Sequence, residues 1–130
     1  MFAYGMRRKK SYLYLIFPLI MSTALSARAE TRYVAVEGMS IAPYTNWLTA
    51  ASRIQDAVGV ATSGDTVLVA PGRYGLYGTS VIVSASIEIQ STQGAEATVI
   101  DGTLSNRCVF LKYPTAVLNG FSIAHAPCPK

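Results

Sequence analysis

The sequence predicts a mainly β fold, a solenoid of short parallel strands closed at its N-terminal end by one helix. Three observations carry this. The apolar bursts Val67–Val69, Ile87–Ile89 and Val109–Leu111 recur at about 20–22 residues, a plausible length for one three-sided turn of a coil. Hairpin signals are scarce, Asn119-Gly120 being the single Asn-Gly pair. A helix-period stretch precedes the strands instead of alternating with them, and an open solenoid end needs such a cover for its apolar core and unpaired strand edges.

The first stretch stands apart from this fold. Met1–Lys10 closes on Arg7-Arg8-Lys9-Lys10, Ser11–Leu25 is mostly apolar, and Ala27-Arg28-Ala29 sets small residues where a signal peptidase reads them. Charge, apolar run and small-x-small in that order predict a Sec-type signal peptide over 1–29, with the mature chain starting at Glu30. The alternative, an uncleaved anchor, has an apolar run shorter than the ~20 residues that span a bilayer, interrupted by Tyr12, Tyr14 and Pro18. Export places the protein in the periplasm, at the cell surface or outside the cell.

Export also changes the charge argument. The whole chain carries a formal +4. From Glu30 onward six basic residues (Arg32, Arg53, Arg73, Arg107, Lys112, Lys130) face seven acidic ones (Glu30, Glu37, Asp56, Asp65, Glu88, Glu96, Asp101), a net −1. The basic character belongs to the targeting segment. Nucleic-acid binding needs a basic patch on the folded part and is not expected.

Within the single domain expected over 30–130, Tyr33–Val36 is a short β-prone run ended by Glu37-Gly38. Ala50, Ile54, Ala57, Val58 and Ala61 form one narrow helical stripe, with Thr45 or Asn46 as candidate N-cap and Ser63-Gly64 as the stop. Asp65-Thr66 leads into the strand Val67–Val69, stopped by Pro71-Gly72. Beyond Tyr74 come only short bursts: Val81–Val83, Ile87 with Ile89, Val99-Ile100, Val109–Leu111, Val117-Leu118, and Phe121 with Ile123. They lie too close together for crossover helices, which excludes a doubly wound α/β fold. A small antiparallel sandwich and a parallel coil remain, and the three observations above favour the coil.

The run Ile54–Val58 followed by Gly64–Tyr74 resembles the N-terminal entry of secreted right-handed parallel β-helix proteins of the pectin-lyase-like superfamily. Ala97–Gly102 and Leu118–Ile123 are similar to its later coil phrases, and Tyr33-Val34 with Trp47 fits its start. The resemblance spans most of Tyr33–Ala124, and its phrases are scaffold. It implies a right-handed β-helix with a capping helix and a few coils, incomplete at the C-terminus. It also implies a polysaccharide as partner, contacted by a non-catalytic scaffold or module. The alternative it implies is a pectate-lyase-like polysaccharide lyase or a glycoside hydrolase, or the N-terminal remnant of one. Ca²⁺ enters only if a lyase site is completed elsewhere; otherwise no cofactor or metal is expected.

Candidate chemistry is sparse. Lyases of this kind need several acids on Ca²⁺ and a basic residue, and hydrolases need two carboxylates ~5–9.5 Å apart. Asp65 and Asp101 stand at turns, where Asp bonds nearby N–H groups, and Asp56 lies off the helix stripe. Glu88 points outward by strand alternation and has no second carboxylate. No catalytic residue is assigned. Arg107 and Lys112, flanking the Cys108–Leu111 burst, are candidate contacts for an acidic sugar; Tyr74 and Tyr77, with Tyr113 and Trp47, are candidate stacking rings. Trp47 also suits a plug under the cap. His125 has no obvious partner. Cys108 and Cys128 lie about one repeat apart; a stacked disulfide and two free thiols both fit that spacing. His125–Lys130 makes no convincing C-terminal cap, so the chain is expected to be truncated, to continue in a relative, or to self-associate through its open last coil.

Overall fold

A computed structural model describes residues 28–104 and 107–125. The expected signal peptide, but for Arg28 and Ala29, lies outside these residues, as does Cys128. In chain order the elements are β1 (Thr31–Val34), α1 (Ile54–Val60), β2 (Thr66–Val69), β3 (Gly72–Gly75), β4 (Val81–Val83), β5 (Glu88–Ser91), β6 (Thr98–Asp101), β7 (Val109–Leu111), β8 (Val117–Asn119) and β9 (Ser122–Ala124).

The fold is mainly β with one short helix, and every strand pairing is parallel. Three sheets form, ordered β1-β2-β5-β8, β3-β6-β9 and β4-β7. Parallel neighbours need a dozen or more residues between them. Among the described residues no helix supplies that length after α1. The chain leaves each sheet, passes through the other two, and returns one ladder position further on. Link residues such as Ala70-Pro71 between β2 and β3 are too few for anything else. Where the chain turns from the first sheet to the second, Gly72 (φ 150°) and Gly120 (φ 81°) take left-handed conformations. A Cβ there would meet Val36 Cγ2 or Ser91 Oγ, so both corners require glycine. Asn119-Gly120 is thus a corner between parallel sheets, not a hairpin, and it is Gly120 that adopts positive φ.

Alternation sets the core. Val67, Ile89 and Leu118 stack in register in the first sheet, Tyr74, Ile100 and Ile123 in the second, and Val81 with Val109 in the third. Val67, Val69, Val81, Val83, Ile89 and Ile100 are fully buried. The repeat differs from the one the bursts suggested. Val67 pairs with Ile89, about 22 residues on, as expected. Ile89 then pairs with Leu118, while Val109–Leu111 joins Val81–Val83 in the third sheet. The bursts look alike in composition, and only the corners tell which sheet each belongs to.

The N-terminal end is covered. Ala35 N–H donates to Ala51 O (2.9 Å), Ala51 N–H to Tyr33 O (2.9 Å) and Tyr33 N–H to Tyr44 O (2.8 Å), so residues 44–51 occupy the outer edge of β1. That competition shortens the expected helix: Ala50 and Ala51 are buried, but Ala51 bridges Val34 as extended chain, and α1 begins at Ile54. Neither Thr45 nor Asn46 caps it. Arg53 holds the N-cap position without a side-chain bond, and Asn46 Oδ1 accepts from Thr49 N–H (2.9 Å) in an earlier turn. The helix stops at Ala61, ahead of Gly64. Ile54, Ala57 and Val58 face the core, and Gln55 Oε1 accepts from Ile82 N–H (2.7 Å), which satisfies the outer edge of β4.

Beneath this cover lies a buried ion cluster. Arg32 heads the Val67–Ile89–Leu118 column and so points inward. Its guanidinium meets Glu30 Oε2 (2.6 Å) and Asp65 Oδ2 (3.5 Å) and donates to Pro43 O (3.1 Å). The plug of the first circuit is therefore Arg32, whose charge is neutralised. Trp47 stays 45% exposed and leans edge-on against Tyr33, 4.6 Å between centroids.

Candidate functional site

The third sheet brings two of the predicted binding residues together. Along β4, Val81 and Val83 turn inward and Ile82 outward; Phe110 of β7 pairs with Ile82 in register, so both side chains share the outer face. Each is 38% exposed. Lys112 lies two residues past Phe110 and falls on the same face. Arg107 reaches it from the loop before β7. The Arg107 guanidinium carbon sits 4.6 Å from the Phe110 ring centroid and Lys112 Nζ 5.8 Å from it, two cations bracketing one ring.

Backbone contacts hold this arrangement. Val81 N–H donates to Cys108 O (2.9 Å) and Lys112 N–H to Val83 O (2.9 Å), which fixes the β7 segment at both ends. Ser80 Oγ donates to Arg107 O, tying the Arg107 backbone to the preceding circuit. Gly78, Ser80, Ile82, Arg107 and Phe110 line an open groove of about 310 Å³. Its chemistry is a cation over an apolar floor with a hydroxyl at one side. Such a surface suits a ligand with a C–H face and an anionic substituent.

The other predicted stacking residues are placed elsewhere. Tyr74 is buried, and its hydroxyl donates to Ala70 O (2.7 Å). Burial pushes its phenol up to about 12. A ring packed in the core offers no face to a sugar, so Tyr74 is corrected to a core residue. Tyr77 is 78% exposed, but its ring lies against Gly75 and is not part of the groove wall. Tyr113 is exposed just beyond Lys112. Cys108 is a buried free thiol packed against Gly102; the pairing weighed for it involves Cys128, outside the described residues.

A second polar cluster crosses three circuits. Asp101, at the end of β6, receives Arg73 Nε (2.7 Å) and Nη2 (2.6 Å) from β3 and lies 2.9 Å from His125 Nδ1, just past β9. His125 thus has a partner that sequence reasoning did not find, because the contact needs successive circuits to be stacked. Asp101 also accepts from Thr103 Oγ1 (2.6 Å) and Thr103 N–H (3.1 Å), the expected turn role. The hydrogen bond from the Thr103 hydroxyl is the largest effect; desolvation, the next, opposes it, and the bonds from Arg73 and His125 bring the carboxyl far below the usual range. With every lone pair engaged, Asp101 is a cross-circuit tie and not an available base. Asp65 is likewise a structural anchor. Burial raises its pKa, but the hydrogen bonds from Thr62 and Glu30 and the charge of Arg32 prevail and lower it. Glu88 is exposed, as alternation predicted.

Phe110 is the groove residue that sequence reading left in the strand. The signal was present, since it is the middle residue of Val109–Leu111 and two from Lys112. Choosing its face needed the register with Ile82. Among the described residues no group of three or more His, Cys, Asp or Glu is placed to hold a metal ion, and no helix is long and apolar enough to cross a membrane. Comparison with family models, with curated proteins and with solved structures found no match.

Proposed function

We propose that this chain is the capped first part of an exported right-handed parallel β-helix, and that it serves as a scaffold contacting acidic polysaccharide through the outer face of the third sheet. The single observation that carries the binding reading is the Arg107–Phe110–Lys112 bracket above Ile82. Two cations complement uronate carboxylates, and the exposed Phe110 and Ile82 complement the C–H faces between them. The parallel ladders, the strand-by-strand tour of three sheets and the covered N-terminal end support the solenoid reading. The two turn aspartates are committed to structure: Asp65 to Arg32 and the Thr62 turn, Asp101 to Arg73, Thr103 and His125. This favours a contacting surface over a hydrolytic pair.

The test is affinity electrophoresis or calorimetry with polygalacturonate, and with a neutral glucan for comparison. Arg107→Ala/Lys112→Ala is expected to weaken polygalacturonate binding about tenfold or more, the loss of roughly 1.4 kcal/mol. Phe110→Ala should weaken both the acidic and any neutral interaction. A wild-type chain that is folded yet binds no glycan, or a double variant that binds as tightly as wild type, refutes the assignment.

A further inference from the structure

We propose that the loop of residues 38–52, at the covered end of the coil, is a lipid-binding wedge that seats the protein on the surface of a bilayer.

Charge and exposure single this loop out. Between Glu37 and Arg53, residues 38–52 carry no charge. Met39, Ile41, Trp47 and Leu48 are 60%, 49%, 45% and 71% exposed. The two limbs of the loop hold them close together: Met39 N–H donates to Leu48 O (3.3 Å) and Ile41 N–H to Thr49 O (3.1 Å). A contiguous apolar patch on the outside of a fold marks a place of contact.

The loop's polar groups select lipid as the occupant, because many of them are bonded within the loop. Ser40 N–H donates to Ala50 O (2.9 Å) and Tyr44 N–H to Ile41 O (3.1 Å). Ser40 Oγ donates to Ser52 Oγ (2.9 Å) and accepts from Ser52 N–H (2.9 Å). Asn46 Oδ1 accepts from Thr49 N–H (2.9 Å), and the Thr49 hydroxyl donates to Asn46 O (3.3 Å). A protein partner is held partly by hydrogen bonds across the interface. Hydrocarbon offers none, so polar groups that approach it must be satisfied from within. Trp47, edge-on to Tyr33, adds the amphipathic rings that settle at headgroup level.

The path of the chain agrees. Tyr33 N–H donates to Tyr44 O and Ala51 N–H to Tyr33 O, so the loop lies against β1. Only residues 26–30 separate the apolar run ending at Leu25 from β1, a reach of about 20 Å when extended. While the expected leader occupies a membrane, this end of the coil is the one beside it. Later circuits stack on the opposite side, so a longer coil projects away from the bilayer.

Trp47 is the single tryptophan of the chain, so its emission reports on this loop alone. The exported protein is titrated with phosphatidylcholine vesicles, with and without phosphatidylglycerol, and circular dichroism shows folding. Trp47 emission is expected to shift to the blue and to be quenched by lipids brominated on their acyl chains. Lipid at about 0.1–5 mM covers the range, since one acyl chain binds with about 10⁴ M⁻¹. An uncharged wedge should bind equally with and without anionic lipid and at low and high salt. Leu48→Glu should weaken binding about tenfold or more. Met39→Glu, at a second exposed site, should act the same way should Leu48→Glu fail to fold. Leu104→Glu, 83% exposed outside the loop, and Arg107→Ala/Lys112→Ala should leave vesicle binding unchanged, which separates this surface from the glycan-contacting face. Four results would each overturn the proposal: a folded wild type whose Trp47 neither shifts nor is quenched; binding that folded Leu48→Glu and Met39→Glu variants retain in full; binding that requires anionic lipid; and a blue shift that grows with protein concentration without vesicles, as a second copy on the loop produces.

Discussion

Replacing Asp65 by alanine should cost this fold about 3–5 kcal/mol, the range for breaking a buried ion pair by removing one partner. The contacts define where that loss comes from. Asp65 is 2% exposed. Its carboxylate accepts from Glu30 N–H at 2.8 Å, Thr62 N–H at 2.9 Å and Thr62 Oγ1 at 3.2 Å, and faces Arg32 Nη2 at 3.5 Å. Alanine leaves two backbone donors without acceptors, each worth about 1–3 kcal/mol when dehydrated. It also leaves Arg32, 9% exposed, with Glu30 as its remaining carboxylate. Because Glu30 is half exposed and keeps its contact, the lower end of the range is expected. A domain with a total of about 5–15 kcal/mol would show this plainly. Urea unfolding followed by circular dichroism measures it. Asp65→Asn retains an acceptor oxygen and loses the charge, so it should fall between wild type and alanine. The pH dependence has a fixed sign. The folded carboxyl lies below its ordinary 3.8. Its stabilisation is therefore complete above the unfolded value and is lost as pH falls below about 4 toward the folded value. Asp65→Asn should flatten that acid limb. An alanine variant within about 1 kcal/mol of wild type would refute the claim that this cluster plugs the first circuit.

Val58→Asp should prevent folding or destabilise it by several kcal/mol, since it places an unpaired charge under α1, whereas Asp56→Asn should stay within about 0.5 kcal/mol. Thermal melts of both report it, and a stable Val58→Asp would remove the lid assignment. Tyr74 should ionise only near pH 12, later than an ordinary phenol, visible as a late step of phenolate absorbance that Tyr74→Phe abolishes. Because its folded value is raised, Tyr74 adds stability that is complete below about 10 and is lost as pH rises from there toward 12.

How much was legible varies residue by residue. The inward positions Val67, Val81, Val83 and Ile89 follow from β-branched alternation, a local signal. The apolar stripe of Ala57 and Val58 announced a helix with one buried face, and α1 buries both residues together with Ile54. The helix start was misjudged because Ala50 and Ala51 suit a helix and an extended bridge equally; a vacant edge on β1 decided between them. Arg32 entered the sequence reading only in the charge count, since nothing local shows that it heads a core column or that Asp65 lies beside it. Tyr74 was a candidate stacking ring, and its burial shows only once the strands are stacked. In the candidate groove, Arg107 and Lys112 were found by charge, while Phe110 and Ile82 required register.

By itself the sequence determined a mainly β chain of short strands without crossover helices, preceded by one short helix. These depend on the chemistry of neighbouring residues. The tertiary structure alone decided which burst lies over which, that Arg73, Asp101 and His125 form one tie, and that Phe110 stands between two cations. The strand pairings, the Arg73–Asp101–His125 tie and the placing of Phe110 beside Ile82 join residues a full circuit apart, and the length of a circuit is set by how its corners fold, which no local pattern encodes.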